Sequence, residues 1–230
     1  TVFDKISDKF LKMGFPPLEG DPIIQIGTTF HKYGSKECFF KSIITLKSVD
    51  DIDDADEIIE CKKERDVIIQ WRQTILNMDP DVIAGYNIFG FDNGYIYDRA
   101  KELRILGKVQ NLGRLTDFKF DKYNPSFVVK ELQSSALGQN ILKYFNMHGR
   151  VQIDLMKLVQ KDYKLDSYKL DTVASTFITG KITSVIDHSN VTIDVTQGVH
   201  PNHFIQIDDI KFRIMDMNGN HLTIDNPDLF

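Results

Sequence analysis

The residues best placed to do chemistry lie in one run, Asp79-Pro80-Asp81-Val82-Ile83-Ala84-Gly85-Tyr86-Asn87-Ile88-Phe89-Gly90-Phe91-Asp92. Val82 to Tyr86 is a short apolar strand. It opens into a turn, and Asp92 starts the helix that follows. A carboxylate there stands at the C-terminal edge of a sheet, a common place for sites. Two uses are open to it. It can cap the helix, beside the positive end of the helix dipole. Or it can be held rigidly for a reaction, because metal-dependent sites are built from carboxylate oxygens.

The flanking pattern supplies the elements that would hold this turn. Thr1 to Gly14 has Val2, Ile6, Phe10 and Met13 at helical spacing, and Phe15-Pro16-Pro17 ends the helix. Strands are expected over Pro22–Phe30, Glu37–Leu46 and Glu57–Cys61. The acidic stretch Asp51 to Asp56 reads as a solvated loop. Lys63 to Met78 forms a helix with Ile68, Trp71, Ile75 and Met78 on one face, stopped by Asp79-Pro80. Asp92 to Leu106 forms a second, with Ile96, Ala100 and Leu103 on one side and Gly107 past its end. A strand–turn–helix unit after antiparallel strands argues for an α/β domain. Asn111 to Lys130 reads as loop. Ile141–Phe145 and Val151–Asp154 read as strands around a His148-Gly149 turn, and Leu155–Tyr163 and Lys169–Phe177 as short helices.

The character of the chain changes after Gly180. Short strands at Ile182–Ile186, Val191–Val195, Phe204–Ile207, Phe212–Met215 and Leu222–Ile224 alternate with turn residues. They are expected to form a compact satellite that buries Ile186, Val195, Ile207, Ile214 and Leu222, with a structural or protein-contact role. The division is therefore 1–180, an α/β domain, and 181–230, a small β-rich insert.

Composition narrows the class. Of the 230 residues 42% are apolar, enough for an ordinary core, and the net charge of −5 is unlike that of a nucleic-acid-coating module. It leaves room for a nuclease built on carboxylates. No apolar run approaches the roughly 18 residues of a membrane span, and no signal peptide is apparent. The chain begins with Thr1 in place of Met. That is expected of a chain processed, cut from a longer protein or incompletely sequenced. Cys38 and Cys61 are far apart and without zinc spacing, which points to reduced thiols inside a cell.

The run from Asp79 to Asp92 resembles the second exonuclease motif of family B DNA polymerases. That family writes the motif as a Gly-Tyr-Asn strand end, a short turn and Phe-Asp. On the matching positions the resemblance implies that Asp92 is the metal-associated catalytic carboxylate. It implies that Asn87 and Phe91 shape the primer-end pocket, with Tyr86 a strand-end neighbour of mainly structural weight. Other segments agree: Asp21-Pro22-Ile23-Ile24-Gln25-Ile26-Gly27, Gly149-Arg150-Val151-Gln152-Ile153-Asp154, Asp162-Tyr163-Lys164-Leu165 and Ser167-Tyr168-Lys169-Leu170. Gly27-Thr28-Thr29-Phe30 and the β-rich insert are similar to polymerases of nucleocytoplasmic large DNA viruses. The resemblance spans Gly14 to about Gly180. It implies part of a ribonuclease H-like fold, a mixed sheet flanked by helices, with the small all-β insert at the C-terminal end. It further implies two-metal hydrolysis with Mg²⁺ or Mn²⁺. The expected partners are a DNA primer-template and single-stranded 3′ ends, the rest of the polymerase chain and a processivity factor. The expected place is a viral replication site in the host cytoplasm or nucleus.

The family's other ligands come from a Phe-Asp-Ile-Glu first motif and a Tyr-x-x-x-Asp third motif. Neither string occurs here. Phe3-Asp4-Lys5-Ile6 is the nearest approach to the first, which keeps Asp4 as a candidate metal ligand. Tyr163 and Tyr168 have aspartates three residues on, not four, and polymerase palm motifs are absent. The isolated chain is therefore expected to be inactive. The competing reading is a non-catalytic, exonuclease-like scaffold or single-strand-binding module, in which aromatics such as Phe39, Phe40, Phe89, Phe91 and Tyr95 stack on bases. An intein reading of the tail fails for want of a cysteine after Cys61.

Overall fold

The apolar pattern between Ile23 and Cys61 folds into strands, and helix residues that follow them in the first unit pack on their buried side chains. The computed structural model describes residues 21–35, 37–50, 52, 54–115, 117–134, 138–177, 180–194, 199–207 and 210–225. These fall into two compact units, within Thr1–Lys164 and within Leu165–Phe230. The helix expected over Thr1 to Gly14, and with it Asp4, lies outside the described residues.

In the first unit the order is β1 (Gln25–His31), β2 (Cys38–Leu46), β3 (Glu57–Cys61), α1 (Glu64–Met78), β4 (Val82–Gly85), α2 (Asp92–Glu102), α3 (Leu106–Val109), β5 (Phe127–Ser134), β6 (Gly138–Phe145), β7 (Val151–Asp154) and α4 (Leu155–Asp162). β1 and β2 are antiparallel, and β3 runs parallel to β2. β4 and β7 form a parallel pair in register from Val82 opposite Val151 to Gly85 opposite Asp154. β5 and β6 form an antiparallel hairpin. The single mixed sheet expected from sequence is thus, among the described residues, three separate sheets in this unit.

The core gathers Ile23 and Ile44 from the strands, Val67, Ile68, Trp71 and Ile75 from α1, Tyr95 and Ala100 from α2, and Phe145 from β6. α1 ends where expected. Asp79 closes it in the left-handed conformation at φ 46°, ahead of Pro80. Two arginines then grip the exit. Arg150 donates to the Asp79 carboxylate at 2.8 Å, to the Pro80 carbonyl and to the Leu112 carbonyl; Arg114 donates to Asp79 and Asp81.

Two expectations are corrected here. α2 stops at Glu102 and does not run on to Leu106. Arg104 turns left-handed at φ 57°, and this drives Ile105, Val109 and Leu112 into the core as α3 begins. The stretch read as loop up to Lys130 becomes strand from Phe127. Its ring stacks on Tyr97 at 4.0 Å and meets Phe145 opposite it in the hairpin, partners distant in sequence.

A buried ion pair ties this unit together. Arg99 on α2 donates from Nε to Glu64 Oε1 at 2.8 Å and from Nη2 to Glu64 Oε2 at 2.5 Å. The side chains are 6% and 8% exposed. Glu64 Oε1 also accepts the Ile23 backbone N–H at 2.9 Å, and Arg99 reaches Glu102 as well. One carboxylate therefore joins the approach to β1, the start of α1 and the second half of α2.

In the second unit α5 (Leu170–Phe177) precedes β8 (Ile182–Val185), β9 (Asn190–Ile193), β10 (Phe204–Ile207), β11 (Ile210–Asn218) and β12 (His221–Ile224). The five strands pair among themselves in the order β10-β11-β12-β9-β8, antiparallel throughout. Val191, Ile193, Phe212, Ile214, Leu222 and Ile224 are buried. Of the expected core residues, Ile214 and Leu222 are inside and Ile207 is half-buried, whereas Ile186 is 56% exposed. Ile186 sits where β8 passes into the turn built by the Asp187 carboxylate, which accepts the N–H groups of Ser189 and Asn190. Val195 lies outside the described residues. Among the described residues no helix is long and apolar enough to cross a membrane.

Three outcomes are expected in urea unfolding. Glu64→Ala strands a buried guanidinium and should cost about 3–5 kcal/mol. In the second unit Ile214→Ala should cost about 2–5 kcal/mol, while Ile186→Ser, at the exposed strand end, should stay within about 0.5 kcal/mol of the parent.

Candidate active site

Four residues of strand β4 and a six-residue turn, Tyr86 to Phe91, deliver Asp92 as the first residue of α2. Asn87 begins the reversal in the left-handed region at φ 60°, which asparagine tolerates better than most residues. Its carbonyl accepts the N–H groups of Gly90 and Phe91. Its side chain folds over Gly90 so closely that a Cβ there would lie 2.2 Å from Asn87 Oδ1, so a larger residue at that place would push the Asn87 amide aside. The Phe91 ring stacks on Tyr95 with centroids 5.4 Å apart, and Phe91 is half-buried against the core.

The turn is fixed from outside as well. Asp154, at the end of β7 and 4% exposed, accepts the Asn87 N–H at Oδ1 (2.9 Å) and the Phe89 N–H at Oδ2 (3.0 Å). From the other flank, the Lys143 N–H of β6 donates to the Phe89 carbonyl at 2.9 Å. The parallel register makes the first of these contacts available, because Asp154 lies opposite Gly85, the last residue of β4.

Asp92 does not cap α2. Phe91 holds the N-cap position, and no side chain makes a cap hydrogen bond there. Asp92 instead lines a cleft of about 120 Å³ with Ile23, Gln25, Ile26 and Gly27 from β1 and its approach, and with Tyr95 and Ile96 one turn along the helix. The Tyr95 hydroxyl donates to the Asp21 carbonyl at 2.8 Å, which fixes α2 against the chain entering β1. Burial among these groups raises the Asp92 pKa above the ordinary carboxylate range, and the nearby Asp154 charge adds to the rise. Burial also raises Tyr86, again with a contribution from Asp154, and the Tyr95 phenol is pushed up to about 12.

Asp92 is an oxygen donor of the kind a hard divalent cation prefers. Among the described residues, however, no group of three or more His, Cys, Asp or Glu side chains is placed to hold a metal ion. The described residues thus bring one carboxylate to the cleft and do not by themselves fit a two-ion cage.

The family model described as DNA polymerase family B, exonuclease domain, matches residues 3–173. The chain belongs to that family. It is 46% identical over 213 residues to a DNA polymerase of Pyramimonas orientalis virus, covering 91% of this chain and 17% of that protein. It is 36% identical over 189 residues to the DNA polymerase delta catalytic subunit of Dictyostelium discoideum, covering 80% of this chain and 16% of the relative. A DNA polymerase of Acanthamoeba polyphaga mimivirus is 34% identical over 240 residues, covering 75% and 14%. The chain therefore spans about one-sixth of the length of these relatives.

Of the residues singled out in the sequence, the structure brings Asp92, Asn87, Phe91 and Tyr86 onto one strand–turn–helix corner, while Asp4 lies outside the described residues. Sequence reasoning missed Asp154. Its place before the amphipathic run Leu155-Met156-Lys157-Leu158-Val159 marks a helix cap, and its carboxylate does accept the Met156 N–H. Nothing in the local pattern signals that the same carboxylate reaches back to Asn87 and Phe89.

A raised carboxylate pKa in the folded state means that ionising Asp92 costs stability. The cost is absent below the unfolded value near 3.9 and appears as pH rises through the higher folded value. Asp92→Asn should therefore raise the urea midpoint at pH 7, with the gain disappearing near pH 3; urea titrations at both pH values check this.

Proposed function

We propose that this chain is the proofreading 3′–5′ exonuclease region of a replicative family B DNA polymerase of the large-DNA-virus type, with part of a ribonuclease H-like fold. The observation that carries the reading is the corner itself. A Gly-Tyr-Asn strand end and a Phe-Asp helix start place one half-buried carboxylate, Asp92, in a cleft beside β1 without spending it on a helix cap.

In this reading the whole protein uses Mg²⁺ or Mn²⁺, which would activate water and stabilise the leaving oxygen. Asp92 is the residue of this chain that would hold the metal, with the remaining ligands coming from the family's first and third motifs. Asn87 and Phe91 shape the pocket for the primer end, with Tyr86 supporting the strand end. The substrate is a single-stranded 3′ end delivered from a primer-template. The rest of the polymerase and a processivity factor are the partners, at a replication site inside the host cell. The β-rich segment serves as a structural or protein-contact module. The fold of the first unit, its family and the chemistry of a carboxylate cleft all support this assignment over a scaffold. The aromatic side chains also favour it. Phe91 and Tyr95 are turned toward each other and the core, with Tyr95 buried, so neither is laid out as a stacking platform.

In the complete polymerase, Asp92→Ala should lower Mg²⁺-dependent trimming of a labelled single strand by about 100-fold or more, with nucleotide incorporation retained. An unchanged trimming rate would refute the assignment. The purified 230-residue chain should trim nothing with either metal.

A further inference from the structure

We infer that Asp154 is a positioning residue for the exonuclease reaction, acting as a three-amide clamp that sets the Asn87–Asp92 turn. The inference rests on the exonuclease reading of Asp92. The clamp itself stands on geometry alone.

The Asp154 carboxylate is buried, and it accepts hydrogen bonds from backbone amides. Oδ1 accepts Asn87 N–H at 2.9 Å and Met156 N–H at 3.0 Å; Oδ2 accepts Phe89 N–H at 3.0 Å. A cap needs only the bond to Met156. The other bonds cross 67 and 65 residues to reach the turn ahead of Asp92. That turn needs outside support for a stated reason. It starts with a left-handed non-glycine residue, and the helix it leads into has no side-chain cap. Bonds to an ionised acceptor are about twice as strong as neutral ones, so a buried carboxylate is the suitable anchor. With Oδ1 and Oδ2 on alternate amides of the turn, Asn87 and Phe89 are fixed together. Phe91, next to Asp92, is tied to the same turn by its N–H to the Asn87 carbonyl, and the Lys143 N–H holds the Phe89 carbonyl from the other flank. The same carboxylate caps α4, so movement of α4 and movement of the site are coupled through one side chain.

The oxygen assignment makes the proposal specific. In Asp154→Asn the amide oxygen keeps two acceptor bonds if it takes the Oδ1 place, toward Asn87 and Met156. The NH₂ group then faces the Phe89 N–H, donor against donor. In Asp154→Ser the hydroxyl can still cap α4 but cannot reach both turn amides.

The test has two readouts. The first is amide hydrogen exchange by NMR on the 230-residue chain, with Val67 and Ile68 as core controls. Phe89 should exchange about 10–100-fold faster in Asp154→Asn, while Asn87 and Met156 stay within about 3-fold of the parent. In Asp154→Ser, Asn87 and Phe89 should both accelerate, with Met156 protected. The second is excision of single-stranded 3′ ends by the complete polymerase. kcat should fall about 10–100-fold in both variants, with KM within about 2-fold. Unchanged exchange at both Asn87 and Phe89 in Asp154→Asn, or in Asp154→Ser, removes the clamp. Faster exchange with unaltered kcat, or a wild-type kcat in Asp154→Ser, shows a cap and nothing more. Should Asp92→Ala leave excision intact in the same assay, the exonuclease reading of the site falls instead, and the exchange data still judge the clamp.

Discussion

A carboxylate and a guanidinium taken out of water together organise the first unit. Glu64 and Arg99 are nearly inaccessible, and their mutual bonds offset a desolvation that neither could bear alone. The geometry is demanding, because the Arg99 fork must meet both oxygens of Glu64 while one oxygen also accepts the Ile23 N–H. Helix α2 cannot slide or rotate without breaking that set. Asp92 lies about two turns toward the N-terminus of the same helix, so its position relative to Gln25–Gly27 follows from the pair. Tyr95, bonded to the Asp21 carbonyl, repeats the constraint one turn closer to the site.

From the other side the turn is governed by strand register. β4 and β7 are parallel, and a parallel pair cannot be set by a local hairpin; it needs its crossover to be folded. The register that places Asp154 opposite Gly85 also sets Arg150 beside the end of α1, where it holds the Asp79 carboxylate and the Pro80 carbonyl. The two ends of β7 thus do complementary work. One fixes the entry to β4 and the other fixes its exit. The outcome is a carboxylate held in a small cleft with its proton affinity raised, a state the fold maintains at some cost to its own stability.

The sequence alone determined much of this. The run from Val82 to Asp92 announces a strand, a turn and a helix start, and each is local chemistry that neighbours in the chain decide. Helix α1, stopped by Asp79-Pro80, and the short strands of the second unit were legible for the same reason: turn residues and apolar period are read over a few positions. Tertiary structure decided the rest. The hairpin strand at Phe127 forms because Tyr97 and Phe145 await it. α2 ends at Glu102, where Arg104 turns left-handed and Ile105 enters the core. Ile186 stays in solvent because a turn bonded to Asp187 claims it. Asp154 owes its two contacts with the turn to register across 65 and 67 residues of intervening chain. A carboxylate's partners are chosen by what surrounds it in space, and sequence spacing carries no record of that beyond a turn or two.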